Sequence, residues 1–570
     1  MGWLQVYRLF WYYFFDFYKL IIEGTNIYQM KDYDYIIVGA GSAGSVLANR
    51  LSEDPANKVL LIEAGGSDRR FFIQMPIGYG ITYHQKTVNW MYTTEPSPDA
   101  DNKPSYWPRG KVMGGSSSIN AMVYVRGNPK DFDEWSEAGN PGWSYKEVLP
   151  YFKKMESWQN GADNFRGGDG PLKVSEVSKQ LHPLCDNFLS AAQEIGMKLN
   201  PDMNGEKQEG VGNYQITTHK GQRMSSSRAY LWPIKYRSNL TVLKKALVTK
   251  VLIRDKKAYG VKYLKSGKTH ELLASREVIL SAGSINSPQL LQLSGVGPKK
   301  ILEQVSVPLV HDSPAVGENL QDHLGVSYFY KSKVPTLNDE LRPVLGKIYQ
   351  GLRYIFSRRG PLSLSVNQSG GFIRTSDNLK KPNIQLYFSP VSYSLESPDK
   401  RAMMSPDPFS AMLLGISNCS PRSRGSVHLR SSDPSSPPII KPNYLSNESD
   451  VKDLLEGVKI LRKLVKTESF RPVIGEEFRP GPQCQTDEQM IQHIKDTVWT
   501  VFHPSSTCRM GPDPKSNVVD SNLKVYGIEG LRVADASIFP SLVCGNINAA
   551  TIMVGEKASD LILKDQKRKE

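Results

Sequence analysis

Apolar runs without polar alternation, each closing on small residues or on a single acid, recur at four places in this chain and predict buried strands of a parallel sheet. The first, Tyr35-Ile36-Ile37-Val38, ends at Gly39-Ala40-Gly41-Ser42-Ala43-Gly44. Val46, Leu47, Ala48 and Leu51 follow at helical spacing, so the stretch reads as strand, tight turn and helix. The second run, Lys58-Val59-Leu60-Leu61-Ile62, delivers Glu63 nineteen residues after Gly44. The third, Glu277–Gly283, leads to a helix over Gln289–Leu293 with Ser287-Pro288 at its opening turn. The fourth, Gly530–Ser537, contains Asp535 and Ala536 at its end.

The first two runs carry chemistry. In a GxGxxG between strand and helix, Gly39 permits the turn, Gly41 lets backbone approach a pyrophosphate, and Gly44 lets helix and strand pack closely. Ser42 and Ala43 open the helix, whose free N–H groups and positive dipole end suit phosphate oxygens. Glu63 can accept from both hydroxyls of an adenosine ribose and disfavours a 2′-phosphate. The third and fourth runs end in residues small enough for a ligand to lie against them. No second strand–GxGxxG–helix unit is present, so one tightly held FAD is a simpler reading than a flavin plus a separate NAD site.

Size and composition narrow the classes. At 570 residues the chain exceeds one ordinary core, and two domains are expected. The net charge of +14 is scattered, with no basic face interleaved with aromatics, which argues against nucleic acid as a partner. Cys185, Cys419, Cys484, Cys508 and Cys544 form no CxxC pair, so neither a zinc site nor a dense disulfide framework is expected, and one or two bridges are left open. Sequons stand at Asn239, Asn367, Asn418 and Asn447. Residues 1–30 are aromatic-rich but broken by Arg8, Asp16 and Lys19, a signal-like or interfacial segment. Together these lean toward an extracellular protein, with membrane-associated and intracellular placements left open.

The stretch Arg109-Gly110-Lys111-Val112-Met113-Gly114-Gly115-Ser116-Ser117-Ser118-Ile119-Asn120 is more specific. With Gly283–Gly297 and the His503 and Asn546 segments, it resembles the glucose–methanol–choline family of FAD oxidoreductases. Val316–His323 and Thr551–Lys557 resemble its insect-type, quinone-accepting glucose dehydrogenase branch. The resemblance implies an α/β chain, α+β overall. A Rossmann-like FAD-binding domain (31–160, 240–322 and 511–570) would be interleaved with a substrate domain built on an antiparallel sheet with helices (161–239 and 323–510). It places Arg109, Val112, Gly115, Ser116 and Asn120 at the flavin, Val248 at the adenine, and Asp535, Ala536 and Asn548 along the cofactor. Ile119 stands where some relatives carry the histidine that bonds FAD covalently, which implies non-covalent FAD.

Alcohol oxidation by hydride transfer needs a proton acceptor and a donor to hold the oxygen. The resemblance assigns these to His503, in Phe502-His503-Pro504-Ser505-Ser506-Thr507-Cys508-Arg509-Met510-Gly511, and to Asn546. Asn548 then faces the flavin pyrimidine edge or fixes the turn. His323 reads as a structural loop residue, and Trp499, Phe502 and Phe539 as core or cavity lining. The expected partners are an alcohol or sugar and a quinone or other electron acceptor. An O₂-using oxidase and a hydroxynitrile-lyase-like enzyme are the alternatives on the same fold, and no anionic or aromatic cage for choline can be placed from the sequence.

Overall fold

Strand β1 (Tyr33–Val38) is flanked on both sides by parallel neighbours, which is why its side chains are apolar without alternation. The structure is a computed structural model describing residues 33–393 and 405–569, so the signal-like segment over 1–30 lies outside the described residues. Helix α1 (Ser42–Leu51) follows β1, and β2 (Val59–Glu63) pairs with it in parallel. Next come β3 (Leu240–Lys244), β4 (Leu247–Arg254), β5 (Lys257–Lys265) and β6 (Lys268–Leu280), then helix α2 (Gly283–Leu293) and finally β7 (Leu531–Val533). The parallel core runs β3-β2-β1-β6, with β7 parallel on the far side of β6. Strand β6 is longer than its apolar run because its first half, from Lys268, pairs antiparallel with β5, and its second half, Ala274 and then Glu277–Leu280 past a bulge, enters the parallel core beside β1.

The expected opening of the helix after β6 is corrected. Helix α2 starts at Gly283, so Pro288 lies inside it. Proline there cannot donate to the carbonyl four residues earlier. That carbonyl, Ser284 O, instead accepts from Thr507 Oγ1 at 2.6 Å. A hydroxyl from a distant segment thus substitutes for the missing helical bond, something local spacing does not show.

A second sheet is antiparallel throughout. Its order is Ile474–Arg479, Leu324–Ser332, Ala411–Asn418, Ile384–Ser389, Ser369–Ile373 and Gly210–Asn213, with Trp499–Thr500 also on the Leu324–Ser332 strand. Helix α3 (Val344–Ser357) lies at the surface, and α4 (Glu448–Leu464) packs Leu454, Val458 and Leu461 into the core over this sheet. The C-terminal helix, Asn548–Lys569, returns to pack along α1. Among the described residues no helix is long and apolar enough to cross a membrane.

All five cysteines are buried and free, so the bridges left open by the sequence do not form here. Two of the four sequons are closed to a glycan in the folded chain. Asn418 is buried in its strand, with Oδ1 accepting from Leu324 N. Asn239 spends its Nδ2 donating to the carbonyls of Ser52, Asp54 and Asn57.

The packing of α1 on β1 rests on Gly44, where a Cβ would lie 1.9 Å from Gly39 O. Gly44→Ala is therefore expected to destabilise the fold by about 1–3 kcal/mol, measured as a lowered thermal midpoint, because backbone rather than a flexible side chain must give way.

Candidate active site

The carboxyl ends of β1, β2 and β6 open into one long cavity, as parallel strands dictate. Gly39, Gly41, Ser42, Ala43 and Glu63 line one end, joined by Val248. Gly39 holds φ +99°, and a Cβ there would lie 2.5 Å from Ser281 O. A Cβ on Gly41 would meet only Ser281 O, at 3.8 Å, so the backbone is open toward the cavity. The turn at Gly115 rests against it: a Cβ on Gly115 would sit 2.7 Å from Gly41 Cα. Two helix N-termini meet here, tied by Ser42 Oγ donating to Asn548 Oδ1 at 2.7 Å.

Glu63 is buried, and its carboxylate accepts from Ala40 N (2.9 Å) and Gly65 N (2.7 Å). Burial pushes the carboxyl up to about 7, against the pull of those two N–H groups and of Lys111. A ribose diol would add two donors to this under-served acid. Ser284 Oγ, also in the cavity wall, has no protein partner. An open glycine backbone, a buried carboxylate with acceptor capacity and an unmatched hydroxyl fit a dinucleotide such as FAD.

Other sequence-predicted residues divide. Arg109, Ser116, Asn120, Asp535, Ala536 and Asn548 are in the cavity wall. Asn548 spends its Oδ1 on Ser42, which makes it a turn-fixing residue as well as a wall. Asp535 accepts from Gly283 N and Ser287 Oγ, which holds the start of α2. Val112 is a correction: it is fully buried among Ile73, Val88 and Ile119 and does not reach the cavity. Its carbonyl instead closes the glycine turn, accepting from Gly115 N at 2.7 Å. Gly44 acts through packing and is likewise not a wall residue.

At the other end, His503 and Asn546 come together. His503 follows the strand Trp499–Thr500 in a loop bracketed by Phe502 (φ +65°) and Ser506 (φ +73°). That uncommon backbone is held by Arg109, which donates to Phe502 O at 2.8 Å, and by Ser506 N donating to Ala536 O at 3.1 Å. Asp322 accepts from His503 N at 2.8 Å and from the hydroxyls of Tyr444 and Thr500. Its burial raises the carboxyl to about 6.

The proton positions follow from the hydrogen-bond network. Tyr214 donates to the carbonyl of Leu386 (2.6 Å), so its oxygen accepts from Gln385 Nε2 (3.1 Å). Gln385 Nε2 also donates to Asn546 Oδ1 (3.3 Å), which turns Asn546 Nδ2 toward His503 Nε2 at 3.1 Å. His503 Nε2 is therefore the bare nitrogen, and Nδ1 carries the hydrogen. Nδ1 lies 3.0 Å from His323 Nδ1, while His323 Nε2 lies 3.1 Å from Cys419 O. A carbonyl only accepts, so His323 donates there and receives the His503 hydrogen. Both rings are neutral in this pattern. Burial lowers His503 well below the ordinary histidine value, reinforced by His323 and Arg109, and it lowers His323 to about 4.

His323 is thus no mere loop residue, and this is what the sequence reading missed. Its one sequence signal is a histidine directly after Asp322 within a segment shared with the family. Gln385 and Tyr214 carried no signal at all, because they act through pairing across the second sheet. Around the histidine the cavity is walled by Tyr79, Tyr83, Val366, Tyr393, Trp499 and Phe502. Phe539 is core, its ring 4.8 Å from that of Trp135.

Comparison with known proteins places the chain in a family. The GMC oxidoreductase family models match residues 33–325 and 421–555. Oxygen-dependent choline dehydrogenase of Photobacterium profundum is 45% identical over 93% of this chain and 93% of its own. Alcohol dehydrogenase [acceptor] of Pseudomonas putida is 43% identical over 93% of this chain and 96% of its own. Pyridoxine 4-oxidase from Mesorbium loti superposes with a TM-score of 0.84 at 30% identity, covering 93% of this chain and 99% of that one. An FAD-dependent oxidoreductase from Chaetomium thermophilum gives a TM-score of 0.85 at 28% identity, covering 94% and 100%. The chain belongs to the GMC oxidoreductase family and is an FAD-dependent enzyme that oxidises the CH–OH group of alcohols.

Proposed function

We propose that the substrate is an apolar or aromatic alcohol and that electrons leave the reduced enzyme to a quinone or another external acceptor. The observation that carries the catalytic part is the bare Nε2 of His503 beside the Nδ2 of Asn546, at 3.1 Å, in the cavity wall. A hydroxyl entering there displaces the Asn546 N–H from Nε2 and donates to Nε2 in its place, while its oxygen receives an Nδ2 hydrogen of Asn546. Bound FAD supplies the hydride acceptor. As the C–H bond gives up its hydride, His503 takes the hydroxyl proton and Asn546 holds the oxygen as it becomes a carbonyl. Asn546 does not titrate, so the donor is present at every pH. Ile119, a wall residue, offers no atom for a covalent link to the flavin.

The rings of Tyr79, Tyr83, Trp499 and Phe502 with Val366 favour an alcohol with an apolar body over glucose, while Tyr79 OH and Trp499 Nε1 leave room for a polar group on it. The same rings support a second reading, a quaternary ammonium alcohol held by cation–π contact. Arg109, in the cavity wall and near His503, works against a cationic substrate.

Anaerobic titration of the purified holoprotein tests the substrate. Benzylic or medium-chain alcohols are expected to bleach the flavin band, with glucose inert. Bleaching by choline alone would favour the second reading, rapid reoxidation by air would favour an oxidase, and cyanide release without bleaching a lyase. His503→Ala should slow flavin reduction by about 10²–10⁴, and Asn546→Ala by about 10²–10³, both read by stopped-flow with flavin content unchanged. His503 works only unprotonated and its value is lowered, so kcat/KM is expected to hold level at pH 7 and above and to fall only below about 6.5. An acid limb centred above neutrality would count against His503 as the base.

A further inference from the structure

Helix α3 is built inside out. Leu345 and Phe356 are 80% and 84% exposed, and Val344 and Tyr349 are 72% and 63% exposed. Ile348, Leu352 and Ile355 are also exposed. At 100° per residue these seven side chains fall within roughly a 140° sector. The opposite face buries Gln350 and Tyr354, with Gln350 Nε2 donating to Glu340 Oε2 at 2.7 Å. A surface helix of a water-soluble domain carries the reverse pattern. Phe71 and Phe72, both exposed, lie beside the helix, the Phe71 ring 6.3 Å edge-on from that of Tyr354 on its inner face.

Charge says what covers this face. Arg342, Lys347, Arg353, Arg358 and Arg359 fall within or beside the helix, and no Asp or Glu stands between 342 and 359. Arg69 and Arg70 precede the two phenylalanines and are exposed. The acids near the patch are Glu340, beside Arg353, its neighbour Asp339, and Asp68, which is buried beside Arg69. We infer that α3 with Phe71 and Phe72 docks in the plane of an anionic phospholipid surface, the apolar sector in the acyl boundary and the basic groups among the headgroups. A second copy is a poorer occupant, because a two-fold contact would bring two sets of like charges together. The placement has a use. The chain leaves α3 through Pro361–Ser363 and reaches the cavity walls Val366 and Asn367, and it leaves Phe71–Gln74 to reach the wall residue Tyr79. Both apolar elements therefore sit one short stretch of chain from the cavity.

The test is flotation of full-length holoprotein with vesicles of phosphatidylcholine alone and of equimolar phosphatidylcholine and phosphatidylglycerol. The comparison is a variant carrying Leu345→Glu, Leu352→Glu and Phe356→Glu. Wild type is expected to float with the anionic vesicles and less with the neutral ones, and the variant to lose binding by at least about tenfold. Flavin content and turnover of a soluble alcohol should be unchanged, which separates failure of docking from failure of the substrate reading. A serine version of the same three substitutions, expected to lose binding in the same direction, replaces the glutamate variant should the latter lose its flavin. Equal binding by wild type and variant, or no binding by wild type, overturns the inference. A wild type that dimerises, a variant that does not, and vesicles that bind neither would assign the face to a second copy.

Discussion

Two main-chain carbonyls, those of Leu386 and Cys419, decide which nitrogen of His503 faces the cavity. Each can only accept, and each lies on or at the end of a strand of the antiparallel sheet. From Leu386 the direction of donation passes through Tyr214 and Gln385 to Asn546, and from Cys419 it passes through His323 to His503. The two chains meet without conflict on His503, leaving Nε2 as its one acceptor nitrogen, held by the Asn546 amide N–H until a substrate hydroxyl takes its place. A reversed amide at Asn546 would set two acceptors against each other, so the tautomer is a property of the sheet and not of the histidine alone.

Burial acts on the same group in the other direction. Enclosure lowers the basicity of His503, which keeps it ready to receive a proton but makes the protonated state costly. His323 and Arg109 add to that cost, while hydrogen-bond acceptors at the ring and at its backbone N–H hold the residue in place. Asp322 lies against the backbone of His503, its acidity weakened by burial and restored in part by Thr500, Tyr444 and the His503 N–H. His323, lowered to about 4, stays an acceptor for Nδ1–H as charge develops on the ring. The site thus combines a buried base with acceptors placed where positive charge will appear.

What was legible in the sequence was whatever is encoded over a short span. The turn from Gly39 to Gly44, the strand ending at Glu63 and the apolar runs before Ala282 and Asp535 all fold as their patterns indicate, because an unbroken apolar run suits a buried parallel strand whichever distant strand pairs with it. What depends on pairing between distant segments was not legible. Pro288 sits inside a helix because Thr507, far along the chain, satisfies the freed carbonyl. Val112 reads like a flavin contact by its neighbours, yet its side chain faces Ile73 and Val88. Gln385 joins the site only through the register of the antiparallel sheet, and His323 only because its loop is pressed under His503.

The interleaving of the chain follows from the chemistry at the seam. The cradle at Gly39, Gly41 and Glu63 belongs to the parallel sheet, and the hydrogen-bond chains that orient His503 belong to the antiparallel one. Asn546 stands just before the C-terminal helix, which returns to pack on α1, while His503 stands just after a strand of the second sheet. A substrate held beside His503 would lose its proton toward the antiparallel side, and FAD held by the cradle of the parallel sheet would supply the hydride acceptor. Neither sheet holds both halves, so a small displacement of one against the other would separate donor from acceptor. The bonds across the boundary, Arg109 to Phe502 O, Ser506 N to Ala536 O and Thr507 to Ser284 O, are what prevent that displacement.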